Sequence, residues 1–203
     1  MVAFRSAQAR VPVRATRGGP RPGAGVPYGR VVERCDRCGF EYDLDGAQRA
    51  AQAIVGGSAA VAAMVRHADA ATVHIRSSPP RWSVLEYACH LRDVLLVQRE
   101  RVLAARRFDT PSFDPMGRDE RVEHDGYADQ DPRDVARQLV DAASMLANAL
   151  ERLTPRDWHR SVMYNYPRRV ERTLRWVAVH TEHEVRHHRL DIEEQLPFRS
   201  PAD

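Results

Sequence analysis

Four stretches of this chain space their apolar residues as an α-helix does, and none sustains the alternation of a strand, so the expected fold is helices around one core. The clearest begins at Ser83, which pairs with Glu86 as a capping box, and Val84, Tyr87, Leu91, Val94, Leu95 and Val102 recur at helical spacing until Arg107. At Asp131-Pro132 a side-chain acceptor for free amides precedes a ring already at helical φ. The helix expected there runs to about Leu153, with Val135, Leu139, Ala142, Leu146 and Leu150 on one face. Asp45 to about His67, rich in Ala and Val, reads as a helix weakened by Gly56 and Gly57. The last helix starts near Thr173 and ends before Pro197. Long polar residues, broken by Pro111, Pro115 and Gly117, connect the middle pair, and a short turn carrying Trp158 precedes the last. The fold class read from this pattern is all-α, a four-helix bundle with an N-terminal arm.

The charge divides unevenly. Residues 1–30 carry six arginines and no acid, so with an overall +3 the remaining 173 residues carry −3. The basic character belongs to this Pro- and Gly-rich arm, which reads as disordered and does not supply the folded basic face that a nucleic-acid partner requires. No continuous apolar stretch suits a secretory signal or a membrane span, and the expected location is the cytoplasm. All 31 basic residues are Arg, as a GC-rich, actinobacterial genome would encode. The domain boundaries expected are 1–30 for the arm, 31–44 for a Cys-containing segment, 45–196 for the bundle and 197–203 for a tail.

Three cysteines do not make a disulfide framework. Cys35 and Cys38 form a C-x-x-C knuckle with no second pair to complete a four-ligand zinc site. The plainest reading is a tight turn that keeps two thiols; the others are half a zinc site completed by histidines or by a second chain, and a redox pair.

Chemistry concentrates in HTEHEVRHHRLD, residues 180–191, with four histidines and three carboxylates. At about 100° per residue, with His183 at zero, Trp176 falls near 20°, His187 near 40°, His180 near 60°, Asp191 near 80° and Glu184 near 100°. Arg175, Arg186, Arg189, Glu182 and Glu193 gather on the opposite side, so the His stripe is not the solvated face. Imidazoles pointed at a bundle interior must be hydrogen-bonded, charged at a cost, or bound to metal. His90, at the shoulder of the apolar sector on the second helix, is placed to complete a site with His183 and His187, leaving positions open for water or substrate. Asp191, with Glu184, is the expected carboxylate support for these rings. Three imidazoles suit Zn, Ni or Fe(II) without choosing among them. The spelling H-E-x-x-H is not that of a metzincin here, because Leu190 stands where Gly is needed and Glu193 where the third His is needed. Only sixteen residues follow His187, too few for the later helix that carries the carboxylate ligand of other zinc proteases. His67, His74, His124 and His159 are read as structural.

The segments WSVLEYACHL (Trp82–Leu91) and TLRWVAVHTEHEVRHHRLD (Thr173–Asp191) together resemble the DinB-like, YfiT-like superfamily of metal-binding four-helix proteins. The resemblance covers roughly residues 45–196 and implies a bundle whose metal ligands fall on His90, His183 and His187. It also implies kinship with enzymes that handle low-molecular-weight thiols, such as mycothiol- and bacillithiol-dependent transferases and isomerases. The expected activity is therefore mycothiol-type S-transfer at a divalent metal, with a small-molecule thiol and an electrophile as partners and Arg118, Asp119, His159 and Tyr166 shaping the acceptor pocket. A metal-dependent hydrolase and a non-catalytic metal-binding or stress-response module are the alternatives. Pairing into a homodimer stays open.

Overall fold

The four long helices form where their caps and apolar stripes place them. The computed structural model describes residues 33–165 and 168–196, so the arm expected over 1–30 and the tail over 197–203 lie outside the described residues. A 3-10 turn over Leu44–Arg49 leads into α1 (Ala50–His67), followed by the short α2 (Ala70–Val73). In α3 (Val84–Arg107) the capping box is complete: the Ser83 hydroxyl accepts from the Glu86 amide at 3.2 Å, and the Glu86 carboxylate accepts from the Ser83 amide at 2.7 Å. β1 (Ser112–Phe113) and α4 (Arg118–His124) come next. In α5 (Pro132–Glu151), Asp131 accepts from the amides of Arg133 and Asp134, as its sequence requires. β2 (Ser161–Tyr164) and β3 (Val170–Thr173) run into α6 (Leu174–Glu193), where Thr173 ends the strand and caps the helix by accepting from the Trp176 amide.

α1 and α3 each pack against both α5 and α6 and only lightly on each other, giving a four-cornered bundle. Its interior is aliphatic, with Ile54, Leu85, Leu91, Leu139, Leu146, Leu150, Leu174 and Ile192 at most 1% exposed. Each such side chain contributes about 1.5–3 kcal/mol on leaving water. α1 continues through its glycine pair, and the reason for one of them is contact: a Cβ on Gly57 would stand 2.6 Å from Cγ1 of Val185 on α6.

The three-stranded sheet is an addition to what the sequence suggests. β2 and β3 pair antiparallel, with Val162 opposite Arg172, and β1 pairs parallel to β2, with Ser112 opposite Met163. Among the described residues no strand exceeds four residues, too short for alternation to stand out, and β1 finds its partner some fifty residues later. The sheet lies beside the start of α6, and buried Val162 and Tyr164 tie it to the core.

The long polar connection is ordered by one buried carboxylate. Asp93 on α3, 4% exposed, accepts from the Tyr127 hydroxyl at 2.6 Å, from Arg92 at 2.8 Å and from Arg121 at 3.1 Å. These bonds hold α4 against α3 and set Arg118 and Asp119 at the mouth of the cavity described below. At the other end, residues 33–42 fold back on themselves through an Arg34–Glu41 bridge and lay Phe40 and Tyr42 on α6. Among the described residues no helix is long and apolar enough to cross a membrane.

Candidate metal centre

α6 meets two neighbours on different faces, and this sorts its histidines. Its buried residues Leu174, Val177, Ala178, Thr181, Val185 and Ile192 centre roughly 180° from His183 and face the bundle. Glu184 at roughly 100° and His188 at roughly 140° sit on the shoulder beside that centre, within reach of α3. His183 and His187 line the cavity described below and also meet residues 33–42: the His183 ring lies 5.4 Å from Phe40 and 5.3 Å from Tyr42, and His187 Nδ1 lies 3.5 Å from Cys35 Sγ.

The result, among the described residues, is four overlapping clusters of donor atoms, of which His180–His183–Glu184 and His187–His188–Asp191 link the other two along α6. In the first of the two so linked, His90, Glu184 and His188 offer atoms all within 4.8 Å of one another; in the second, Cys35, Cys38, His183 and His187 do the same. The expected set of His90, His183 and His187 is divided between them, and among the described residues no such cluster joins His90 to either of the other two. Glu184, expected as a support, stands among the potential ligands.

The first cluster fits a divalent metal by its chemistry and spacing. Glu184 Oε2 lies 3.6 Å from His188 Nε2 and 4.0 Å from His90 Nε2. Ligand atoms about 2.0–2.1 Å from a tetrahedral zinc stand about 3.4 Å apart, so a small shift of side chains closes the set. His90 is 3% exposed, has no hydrogen bond among the described residues, and leaves its buried Nδ1 without a partner. The nitrogen that faces Glu184 is Nε2, and a metal bound there would offset part of the cost of burying the ring. Asp191 accepts from His188 Nδ1 at 2.9 Å, which orients the ring and turns Nε2 toward the cluster.

Protonation follows the same geometry. Burial, with His188 nearby, pushes His90 down to about 3, so it stays neutral and able to ligate. Burial also lowers His180, to about 4. Burial opposes charge on His188 as well, but its bonds to Asp191 and Glu184 prevail and lift it to about 9. Glu184, although burial works against its charge, is held well below the ordinary carboxylate range by His188 and the surrounding rings. A ligating imidazole is neutral, so ligation at His188 releases its proton.

The cluster lies in a cavity of about 850 Å³ between α3, α4, α6 and the sheet. On its α3 wall Arg101 is 4% exposed, and among the described residues it forms no ion pair. Its guanidinium lies 4.4 Å from the Tyr164 ring centroid and donates to Gln98 Oε1 at 3.2 Å, while its Nε has no partner. Gln98 in turn donates to the Tyr164 hydroxyl at 3.0 Å, fixing the wall.

The sequence profile of the DinB superfamily matches residues 54–192, more than half of the chain. The chain belongs to the DinB superfamily. Among solved structures, YfiT from Bacillus subtilis, described as a probable metal-dependent hydrolase with an unusual four-helix bundle topology, superposes with a TM-score of 0.67. The two are 18% identical, and the match covers 74% of this chain and 86% of that one, which makes it a likeness of fold. No curated protein matches the chain in sequence.

In this DinB-superfamily chain Arg118 and Asp119 line the cavity, paired with each other at 3.2 Å. His159 sits exposed in a 3-10 turn outside the cavity lining, and Tyr166 lies outside the described residues. Asp191 supports His188 and also stands 3.7 Å from His187 Nε2. The sequence reading passed over His188, Arg101 and Tyr42. For His188 a signal was present: Glu184 and His188 are spaced i, i+4 within HEVRHH, one step around the helix from the more conspicuous His183 and His187.

Proposed function

We propose that this chain is a metal-dependent S-transferase in which His90, Glu184 and His188 hold a divalent zinc, nickel or iron ion. Its substrates are a low-molecular-weight thiol of the mycothiol type and an electrophile with a carboxylate or similar anionic group, bound beside Arg101. The observation that carries this reading is the presence, in one cavity, of a three-donor cluster with room for further ligands and a buried guanidinium without an acidic partner among the described residues. When bound, such an ion lowers the pKa of a coordinated thiol or water and polarises an acceptor.

The protein's residues supply the rest. Asp191 keeps His188 oriented, and Glu184 offsets the cationic charge gathered at the cluster. Arg101, backed by Gln98 and Tyr164, counters the acceptor's negative charge in surroundings where such a contact is strong. In the transfer the thiol gives its proton to solvent, its sulfur bonds the electrophilic carbon, and the leaving group departs with the electron pair of the broken bond. Glu184, the residue that would be general base in an H-E-x-x-H hydrolase, stands in the donor set, so that role is not open to it while it ligates. All donors come from one chain, so pairing into a dimer is not required, and the cytoplasm keeps such thiols reduced.

Metal-dependent hydrolysis is the second reading, favoured by the donor set itself, since two histidines and a glutamate serve several zinc hydrolases. The test is reconstitution with zinc, nickel or iron(II) and assay of thiol consumption against monochlorobimane and against a carboxylate-bearing electrophile. Metal-dependent turnover lost in His90→Ala and His188→Ala supports the transferase. Hydrolysis of activated esters without thiol moves the assignment to the hydrolase, and bound metal with no rate above background leaves a binding module.

A further inference from the structure

We propose that Cys35, Cys38, His183 and His187 form a second metal site, a closed four-ligand zinc centre that fastens residues 33–42 to α6. It is independent of the function proposed above and uses none of its three donors. Their donor atoms lie within 4.8 Å of one another, and all four residues are partly buried. Two thiolates and two imidazoles satisfy zinc's preference for soft sulfur and borderline nitrogen donors.

The geometry matches in detail. With Zn–S near 2.3 Å and Zn–N near 2.0–2.1 Å, a tetrahedral site puts sulfur and nitrogen about 3.6 Å apart; Cys35 Sγ and His187 Nδ1 are 3.5 Å apart. His183 Nε2 is buried without a partner, the condition of a ligand nitrogen that faces its ion. Each imidazole is supported at its other nitrogen. His183 Nδ1 meets the Tyr42 hydroxyl at 2.9 Å, and His187 Nε2 has Asp191 Oδ2 at 3.7 Å.

The hydrogen-bond network fixes the tautomers consistently. Tyr42 also meets His180 Nδ1 at 2.9 Å, and His180 Nε2 faces Glu184 Oε1 at 3.7 Å. If the Tyr42 hydroxyl donates to His180, then His183 donates from Nδ1 to the tyrosine oxygen, and its Nε2 lone pair is free for metal.

The cysteine turn has the form of a zinc knuckle. The Gly39 amide donates to the Cys35 carbonyl at 2.8 Å and the Cys35 amide to the Phe40 carbonyl at 2.9 Å, while Gly39 takes φ +68°, which a side chain would resist. Both cysteines are free thiols. With all four positions taken by protein, the ion has no room for substrate and its role is structural. Because Tyr42 lines the cavity, the clasp also holds one wall of the first site.

The experiment is metal analysis of tag-free protein purified under reducing conditions, together with cobalt(II) substitution. About one zinc equivalent per chain is expected at the cysteine site, beside about one equivalent of zinc, nickel or iron at the other centre; Cys38→Ser should lose the first and His90→Ala the second. Cobalt-loaded wild type should absorb in the near ultraviolet through thiolate-to-cobalt charge transfer. His90→Ala should keep that band and Cys35→Ser should lose it. A wild type without the band, or a metal content unchanged in a folded Cys38→Ser, overturns the proposal. The wild-type spectrum decides even where the serine variants fail to fold, and loss of activity in His90→Ala alone bears on the first centre only.

Discussion

Asp191 accepts a hydrogen bond from Nδ1 of His188 at 2.9 Å, one helical turn along α6, and so decides which nitrogen of that ring is presented to Glu184 and His90. Partners of this kind contribute through ring orientation and basicity, and their loss typically weakens metal binding about 10–100-fold. Asp191→Ala is therefore expected to lower affinity at the His90 cluster by about that factor while the helical circular dichroism stays that of wild type. Competition against a chelating dye measures it. Unaltered affinity would remove Asp191 from the account.

Arg101 separates binding from stability. A buried charge without a charged partner costs several kcal/mol, and replacing such groups by apolar residues of similar volume is often neutral or stabilising. Arg101→Met should unfold at the same temperature as wild type or higher, yet raise KM for an anionic acceptor about tenfold or more, while a neutral acceptor is scarcely affected. Differential scanning calorimetry and steady-state kinetics on the two acceptors give the comparison. A variant that melts well below wild type would mean that Arg101 is chiefly a structural residue.

The bundle was legible in the sequence because its signals are local. Ser83 with Glu86, Asp131 with Pro132, and Thr173 each mark a helix start within four residues, and the apolar stripes follow at fixed spacing. The sheet was not, because β1 acquires a partner only through the tertiary fold and its two residues carry no period. The site was half legible. The sequence located the metal-binding character of α6 and the buried His90, but the non-solvated sector of that helix is so wide that periodicity does not say which part meets α3. Packing of residues 33–42 against α6 divides the sector, turning His183 and His187 to the cysteines and leaving Glu184 and His188 for His90. The C-x-x-C pair, read most plainly as a turn, faces its two histidines only when chain ends some 150 residues apart meet.

The adjacent glycines of α1 should respond in opposite directions to alanine. Gly56 is exposed, and a Cβ there meets nothing within 4 Å, so Gly56→Ala should stabilise by about 0.5–1 kcal/mol through helix propensity. At Gly57 the same methyl would stand 2.6 Å from Val185 Cγ1, forcing α1 and α6 apart at a cost of about 1–3 kcal/mol. Urea titration of both variants tests the pair. Equal effects would mean that α1 and α6 are not in the close contact described.

Glu86 ties stability to acid pH. Burial raises its pKa, but the bonds from Arg76 at 2.8 Å and from the Ser83 amide at 2.7 Å outweigh that and leave it below its ordinary value. With the folded value below the unfolded one, near 4.3, the stabilisation is fully present above about pH 5 and is lost as pH falls through the folded value. Glu86→Gln removes the charge at every pH, so it should lower stability at neutral pH by about 0.5–2 kcal/mol, in the range of a lost helix cap. The gap between wild type and variant should then narrow as the pH is lowered from 6 toward 3. Urea midpoints measured across that range provide the check, and a gap that stays constant would show that the ionised carboxylate contributes nothing beyond what the amide can replace.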